Sequence, residues 1–244
     1  MNSTLLLCFP HSGAGPSFFM PWKSLAPTGL DIAPVGLPGR EKRFAEPPLN
    51  RVADVVEDVL PWVREQVAGY GGVALFGHSL GAVLAFEMAG RLAAETTIPL
   101  RGLFVSGSAG PASRHGLEAT GLPDAEFLDH VERAVGYRHP AFDNPAMRGM
   151  LLPTLRADIE MHERYRPSAG SSLDIPITAI RGSDDQLIAA ERLAEWRDCT
   201  TDDFHTACLP GGHMYLVDSP TALLGLIDGR LRDGSNPLGS PSGR

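Results

Sequence analysis

The chain has 244 residues, 43% of them hydrophobic, with 21 Lys and Arg against 29 Asp and Glu for a formal net charge of −8. That length suits one large α/β domain with a sizeable core, and the acidic balance argues against a nucleic-acid or anionic-membrane partner. No apolar run is long enough to cross a bilayer. The three cysteines, Cys8, Cys199 and Cys208, are far apart and form no C-x-x-C, so reduced thiols are expected and no metal site is implied.

Thr4–Pro10 reads as a fully apolar strand, followed by Ser17–Leu25 as a short helix with an aromatic face. Asp31–Val35 is a second strand and Gly36–Pro48 a loop rich in Gly and Pro. Arg51–Ala68 reads as a helix, because Val52, Val55, Val56, Val59 and Val63 recur at helical spacing; Pro61 is a candidate kink. Val73–Phe76 is a strand and Leu80–Ala94 a helix. Leu103–Ser106, Ile175–Ile180 and Thr206–Leu209 are further strands, with Glu191–Arg197 and Thr221–Leu231 helical. Strands alternating with helices predict a parallel sheet covered on both faces.

One region breaks that rhythm. Between Ser106 and Ile175 no strand is evident, while Pro123–Val135 and Ala146–Arg164 read as helices separated by Gly136–Pro145. An insertion at about 110–170, at the C-terminal edge of a parallel sheet, is placed to act as a lid hinged at Gly136–Pro140. The alternative is a helical hairpin without a gating role. A single domain over 1–232 is expected, with 233–244, rich in Gly, Ser and Pro, as a disordered tail. The N-terminus lacks a basic segment and its apolar run is too short for a signal peptide, so a cytoplasmic location is expected.

Gly77-His78-Ser79-Leu80-Gly81, between the third strand and the helix at Leu80, fits the G-x-S-x-G nucleophile elbow. The outer glycines are needed because the turn brings backbone against backbone. A serine needs a base and an orienting acid. His213, in Pro210-Gly211-Gly212-His213 after the last strand, is the candidate base. His11 and His78 only precede their motifs, His115, His130, His139 and His162 lie in the insertion, and His205 precedes a strand. For the acid, counting strand, Gly, two residues, Asp from Gly182 selects Asp185, with Asp184 as the alternative. The oxyanion hole needs two N–H groups. One is assigned to Leu80, after the nucleophile. The other is assigned to Ser12, in the loop Phe9-Pro10-His11-Ser12-Gly13-Ala14-Gly15. That loop lacks both a Lys followed by Ser or Thr and a G-x-G-x-x-G, so it is not read as a nucleotide cradle.

That loop, Leu37-Pro38-Gly39-Arg40 with Arg43 after it, the elbow, and Gly211-Gly212-His213 together resemble the type II thioesterases of polyketide and nonribosomal peptide assembly lines. The likeness runs from about Thr4 to Leu231. It implies an α/β-hydrolase fold, a mostly parallel sheet with helices on both faces and a helical lid. It implies hydrolysis of acyl groups held as thioesters on the phosphopantetheine arm of an acyl or peptidyl carrier protein, to edit stalled or aberrant chains. It carries over Ser79, His213, Ser12 and Leu80 in the roles above, and leaves Asp184 against Asp185 open. A thioester is activated for acyl transfer, so no cofactor or metal is called for. The same residues would serve product release, cyclisation or acyl transfer; a non-catalytic carrier-binding protein is the remaining reading. A monomer is expected, with a carrier protein as partner and neither nucleic acid nor membrane. Phe127, Tyr137, Phe142, Met147, Met150 and Met161 are expected to line the acyl chamber or to pack lid against core. Arg133–Arg166 holds six arginines against four acidic residues, a candidate docking patch or a solvated face.

Overall fold

A computed structural model describes residues 3–95, 98–113, 117–167 and 172–233. Strands β1 (Thr4–Phe9), β2 (Leu30–Pro34), β3 (Gly72–His78), β4 (Leu100–Ser106), β5 (Ile177–Gly182) and β6 (Phe204–Leu209) form one sheet in the order β2-β1-β3-β4-β5-β6, with every neighbouring pair parallel. Every residue of β3 is buried, as expected of a central strand covered on both faces.

The strands divide their side chains between two cores with the period of two that a pleated strand imposes. Leu5, Leu7 and Phe9 of β1 pack with Leu75, Val105 and Ile177 against α2 (Val52–Val67) and α3 (Leu80–Ala93). Leu6 and Cys8 pack with Phe76, Phe104 and Ile180 on the other face. There they meet Trp22 of α1 (Trp22–Leu25), Tyr215 of α6 (Tyr215–Asp218) and Leu223 and Ile227 of α7 (Pro220–Asp233). α2 buries the valine stripe read from the sequence and runs on through the exposed Pro61. α3 is buried almost all round, which its small apolar residues permit.

The insertion contributes α4 (Asp124–Val135) and α5 (Pro145–Arg164), joined through a 3₁₀ turn at Pro140–Asp143. The two helices share a small core of Phe127, Leu128, Leu152, Leu155 and Ile159. Caps explain their ends. Asn144 accepts from the N–H groups of Ala146 and Met147 to start α5, and α4 stops at the left-handed Gly136.

Several boundaries differ from the sequence reading. The helix expected over Ser17–Leu25 is a 3₁₀ turn, Pro16–Phe19, and then α1, because Pro21 has no N–H to continue a ladder. Pro176 likewise delays β5 to Ile177. The helix expected over Glu191–Arg197 is a 3₁₀ run, Ala190–Cys199, and β6 begins at Phe204, so His205 lies within it. His115 and the tail beyond Asp233 lie outside the described residues. Among the described residues no helix is long and apolar enough to cross a membrane.

Candidate active site

β3 hands the chain to α3 through Ser79, whose φ of 54° and ψ of −118° lie outside the regions an L-residue favours. Such a conformation costs of order 1–3 kcal/mol and persists only where its surroundings hold it. The flanking glycines show what does so. A Cβ on Gly77 would lie 1.9 Å from the Gly81 carbonyl oxygen, and one on Gly81 would lie 2.3 Å from that of Phe9. The turn is therefore closed to any other residue at both places, and it is braced against the end of β1. The Ser79 N–H donates to the Ser106 carbonyl at 2.8 Å.

The turn after β5 carries Asp185, which is 4% exposed, to within 2.9 Å of Nδ1 of His213, also 4% exposed. Its other oxygen accepts from the N–H groups of Leu187 (2.8 Å) and Ile188 (3.0 Å). Burial pushes the Asp185 carboxyl up. The hydrogen bonds from His213, Ile188 and Leu187 outweigh that and hold it below the usual carboxylate range. An ionised Asp185 makes Nδ1 of His213 the protonated nitrogen and leaves Nε2 as an acceptor. Asp184 faces solvent and takes the Ser183 hydroxyl at 3.1 Å. The aspartate that the spacing selects is thus the one beside His213, and its alternative lies in solvent.

Ser79, His213 and Ser12 line one cavity of about 480 Å³ beneath the insertion. Leu80 is the first residue of α3, so its N–H has no intrahelical acceptor. In the turn after β1, the Gly13 N–H donates to Asp158 at 2.7 Å and the Ala14 N–H to the His11 carbonyl at 3.0 Å, so neither competes with the N–H of Ser12. The N–H groups of Leu80 and Ser12 are the candidate donors to a developing oxyanion.

The family model described as "Thioesterase domain" matches residues 4–231. The chain belongs to the thioesterase family. It is 30% identical to the gramicidin S biosynthesis protein GrsT of Aneurinibacillus migulanus, over 93% of this chain and 88% of that one. It is 33% identical to the thioesterase PikA5 of Streptomyces venezuelae, over 89% and 77%. Among solved structures it resembles the type II thioesterase BorB from the borrelidin biosynthetic cluster, with a TM-score of 0.83, 34% identity, and 94% and 93% of the two chains covered. The protein is thus an enzyme acting on thioesters, built on the α/β-hydrolase fold.

Two histidines other than His213 pack at this thioesterase site, His11 in the cavity wall and His78 buried behind it. His78 is fully buried; its Nδ1 lies 2.9 Å from the Ser106 hydroxyl, which lies 2.7 Å from the Tyr215 hydroxyl. Its ring lies 4.8 Å from that of His213, between centroids. Burial, then the positive charge available to His213 and His11, pushes its pKa well below the ordinary value. His11 lines the cavity and is held at about 4, chiefly by burial. Their one sequence signal was adjacency, His11 to Ser12 and His78 to Ser79.

The insertion splits the residues expected to line the chamber. Tyr137, Phe142 and Met147 do line the cavity of the thioesterase. Phe127 is buried in the lid core, Met161 in the main core, and Met150 is exposed. Several of the insertion's arginines are spent internally, Arg138 on Glu132 and Asp143, Arg156 on Asp124 and Arg164 on Glu160. Arg133, Arg148 and Arg166 donate instead to backbone carbonyls, so the face is partly self-paired.

Proposed function

We propose that this thioesterase edits assembly lines, hydrolysing stalled or aberrant acyl groups from the phosphopantetheine arm of acyl or peptidyl carrier proteins. The carrying observation is the buried Asp185–His213 pair, 2.9 Å apart, on the same cavity as the strained Ser79. The likeness to a type II thioesterase from a biosynthetic cluster supports the substrate class.

In this reading Ser79 Oγ attacks the thioester carbonyl while His213 Nε2 takes its proton. Leu80 and Ser12 donate their N–H groups to the resulting oxyanion. Collapse expels the pantetheine thiolate, which His213 protonates, and leaves an acyl-Ser79 ester. Water, deprotonated by His213, then attacks that ester; the acid leaves and Ser79 regains its proton. Asp185 keeps the His213 ring oriented and stabilises the imidazolium. Leu155, Ile159 and Met147 give the chamber an apolar wall for the acyl chain.

The test is hydrolysis of a panel of acyl groups loaded on a carrier protein, followed by mass spectrometry. Ser79→Ala is expected to abolish turnover with the fold intact; activity within about tenfold of wild type overturns the assignment. Short and medium acyl groups are expected to be cleaved with higher kcat/KM from the carrier than from coenzyme A. Equal values count against a carrier-directed role.

A further inference from the structure

The proposed oxyanion turn is gripped from outside the hydrolase core by a buried ion pair. Arg40, 7% exposed in the loop after β2, makes a two-pronged bond to Asp158 of α5, with Nη1–Oδ2 and Nη2–Oδ1 both 2.8 Å. Asp158 is fully buried. Its Oδ2 also accepts the Gly13 N–H at 2.7 Å, and Arg40 Nη1 donates to the Ala14 carbonyl at 2.9 Å. Three segments distant in sequence therefore meet at one carboxylate.

The bonds fall on particular peptide groups. The peptide after Ser12 is held at both ends, its N–H by Asp158 and its carbonyl facing His11 Nδ1 at 3.1 Å. The peptide after Ala14 is held through its carbonyl by Arg40. Asp158 also removes Gly13 as a competing donor beside Ser12. A buried ion pair is a poor source of stability compared with apolar packing, and its better-attested use is to fix a geometry.

We propose that Arg40 and Asp158 are positioning residues for the reaction: the pair sets the direction of the Ser12 N–H and makes oxyanion stabilisation depend on α5 of the insertion. This rests on the Ser79 reading above. It follows that weakening the pair lowers the rate of bond breaking without weakening substrate binding.

The experiment uses the full-length enzyme with a butyryl-loaded carrier protein. It adds two probes, a non-hydrolysable butyryl thioether of pantetheine and a butyl trifluoromethyl ketone. Losing an oxyanion donor costs about 10²–10³ in kcat, so displacing one in Asp158→Asn is expected to cost about 10–100-fold. Arg40→Lys keeps the buried cation but loses the two-pronged geometry, and is expected to fall in the same direction. In both, KM and thioether affinity stay within about twofold, while affinity for the trifluoromethyl ketone falls with kcat. Tyr165→Phe removes the 2.7 Å bond from the C-terminal cap of α5 to Glu87 of α3, away from the turn, and is expected to keep kcat within about twofold. The proposal is overturned if the two variants keep wild-type kcat, if the loss lies in KM, or if ketone affinity is unchanged while kcat falls. Dead Ser79→Ala with fully active Asp158→Asn and Arg40→Lys overturns this proposal alone. An active Ser79→Ala overturns the catalytic reading and this one with it.

Discussion

Asp185 and Asp184 are neighbours with opposite environments, one buried against His213 and one in solvent. Asp185→Asn is expected to lower kcat by about 10²–10⁴, because the imidazole loses its orienting and charge-stabilising partner. Asp184→Asn is expected to leave it nearly unchanged. A larger loss for Asp184→Asn, with both proteins folded, shifts the acid by one position. The histidines give a second residue-scale expectation. His11, half-buried in the cavity wall, and His78, fully buried, have pKa values lowered from an ordinary 6.5, that of His11 to about 4. The unfolded chain therefore binds more protons than the native one below about pH 6.5, so stability is full above that pH and falls on acidification toward pH 4. Urea unfolding from pH 7 to 4.5 checks this, and His11→Asn is expected to flatten the slope. A flat wild-type profile contradicts it. The places of Ser79, His213 and Asp185 on the turns after β3, β6 and β5 were legible because such turns carry residues at fixed spacing. His11 and His78 were not, because packing decides what they do.

At the scale of elements, the insertion was read as one lid, yet its two helices are held differently. α5 is bonded to the core loops through Thr154 to the Gly39 carbonyl and Asp158 to Arg40 and Gly13, and Tyr165, at its C-terminal cap, is bonded to Glu87 of α3. α4 packs on α5 through the small lid core and ends at Gly136. We therefore expect hydrogen exchange to rank α3 slowest, α5 intermediate and α4 fastest. Equal rates in α4 and α5 favour a lid moving as one body, hinged at Gly136–Pro140. Helices with strong periodicity, α2 above all, were plain in the sequence. The 3₁₀ runs at Pro16–Phe19 and Ala190–Cys199 were not, since such short windows carry no distinguishing period.

At the scale of the molecule, the order β2-β1-β3-β4-β5-β6 was illegible, because alternation of elements fixes parallelism but not which strands are neighbours. That order has a functional consequence. β1 lies between β2 and β3, with Phe9 opposite Gly77, so the turn after β1 and the elbow after β3 emerge side by side. It is at such a switch in strand order that open α/β sheets bind ligands. Charge also acts at this scale. With a net charge of −8 and Arg138, Arg156 and Arg164 of the insertion paired to carboxylates, the positive charge left to attract an acidic carrier is small. Apolar groups at the cavity mouth, Phe44, Tyr137 and Met147, are exposed instead. KM for the carrier is thus expected to change by less than about threefold between 0.05 and 0.5 M salt, where a charge-steered encounter would weaken steeply.

The carboxylate that α5 lends to the turn after β1 bears on how such enzymes are re-engineered. An obvious route to a new acyl preference is to transplant the whole helical insertion from a relative, treating it as a detachable specificity cassette. Here the cassette contains Asp158, while its counterpart Arg40 stays behind in the scaffold. A donor cassette with no carboxylate at that place would strand a buried guanidinium and cost about 3–5 kcal/mol. Chimeras of this protein should therefore be chosen by compatibility at Arg40 first and by chamber shape second.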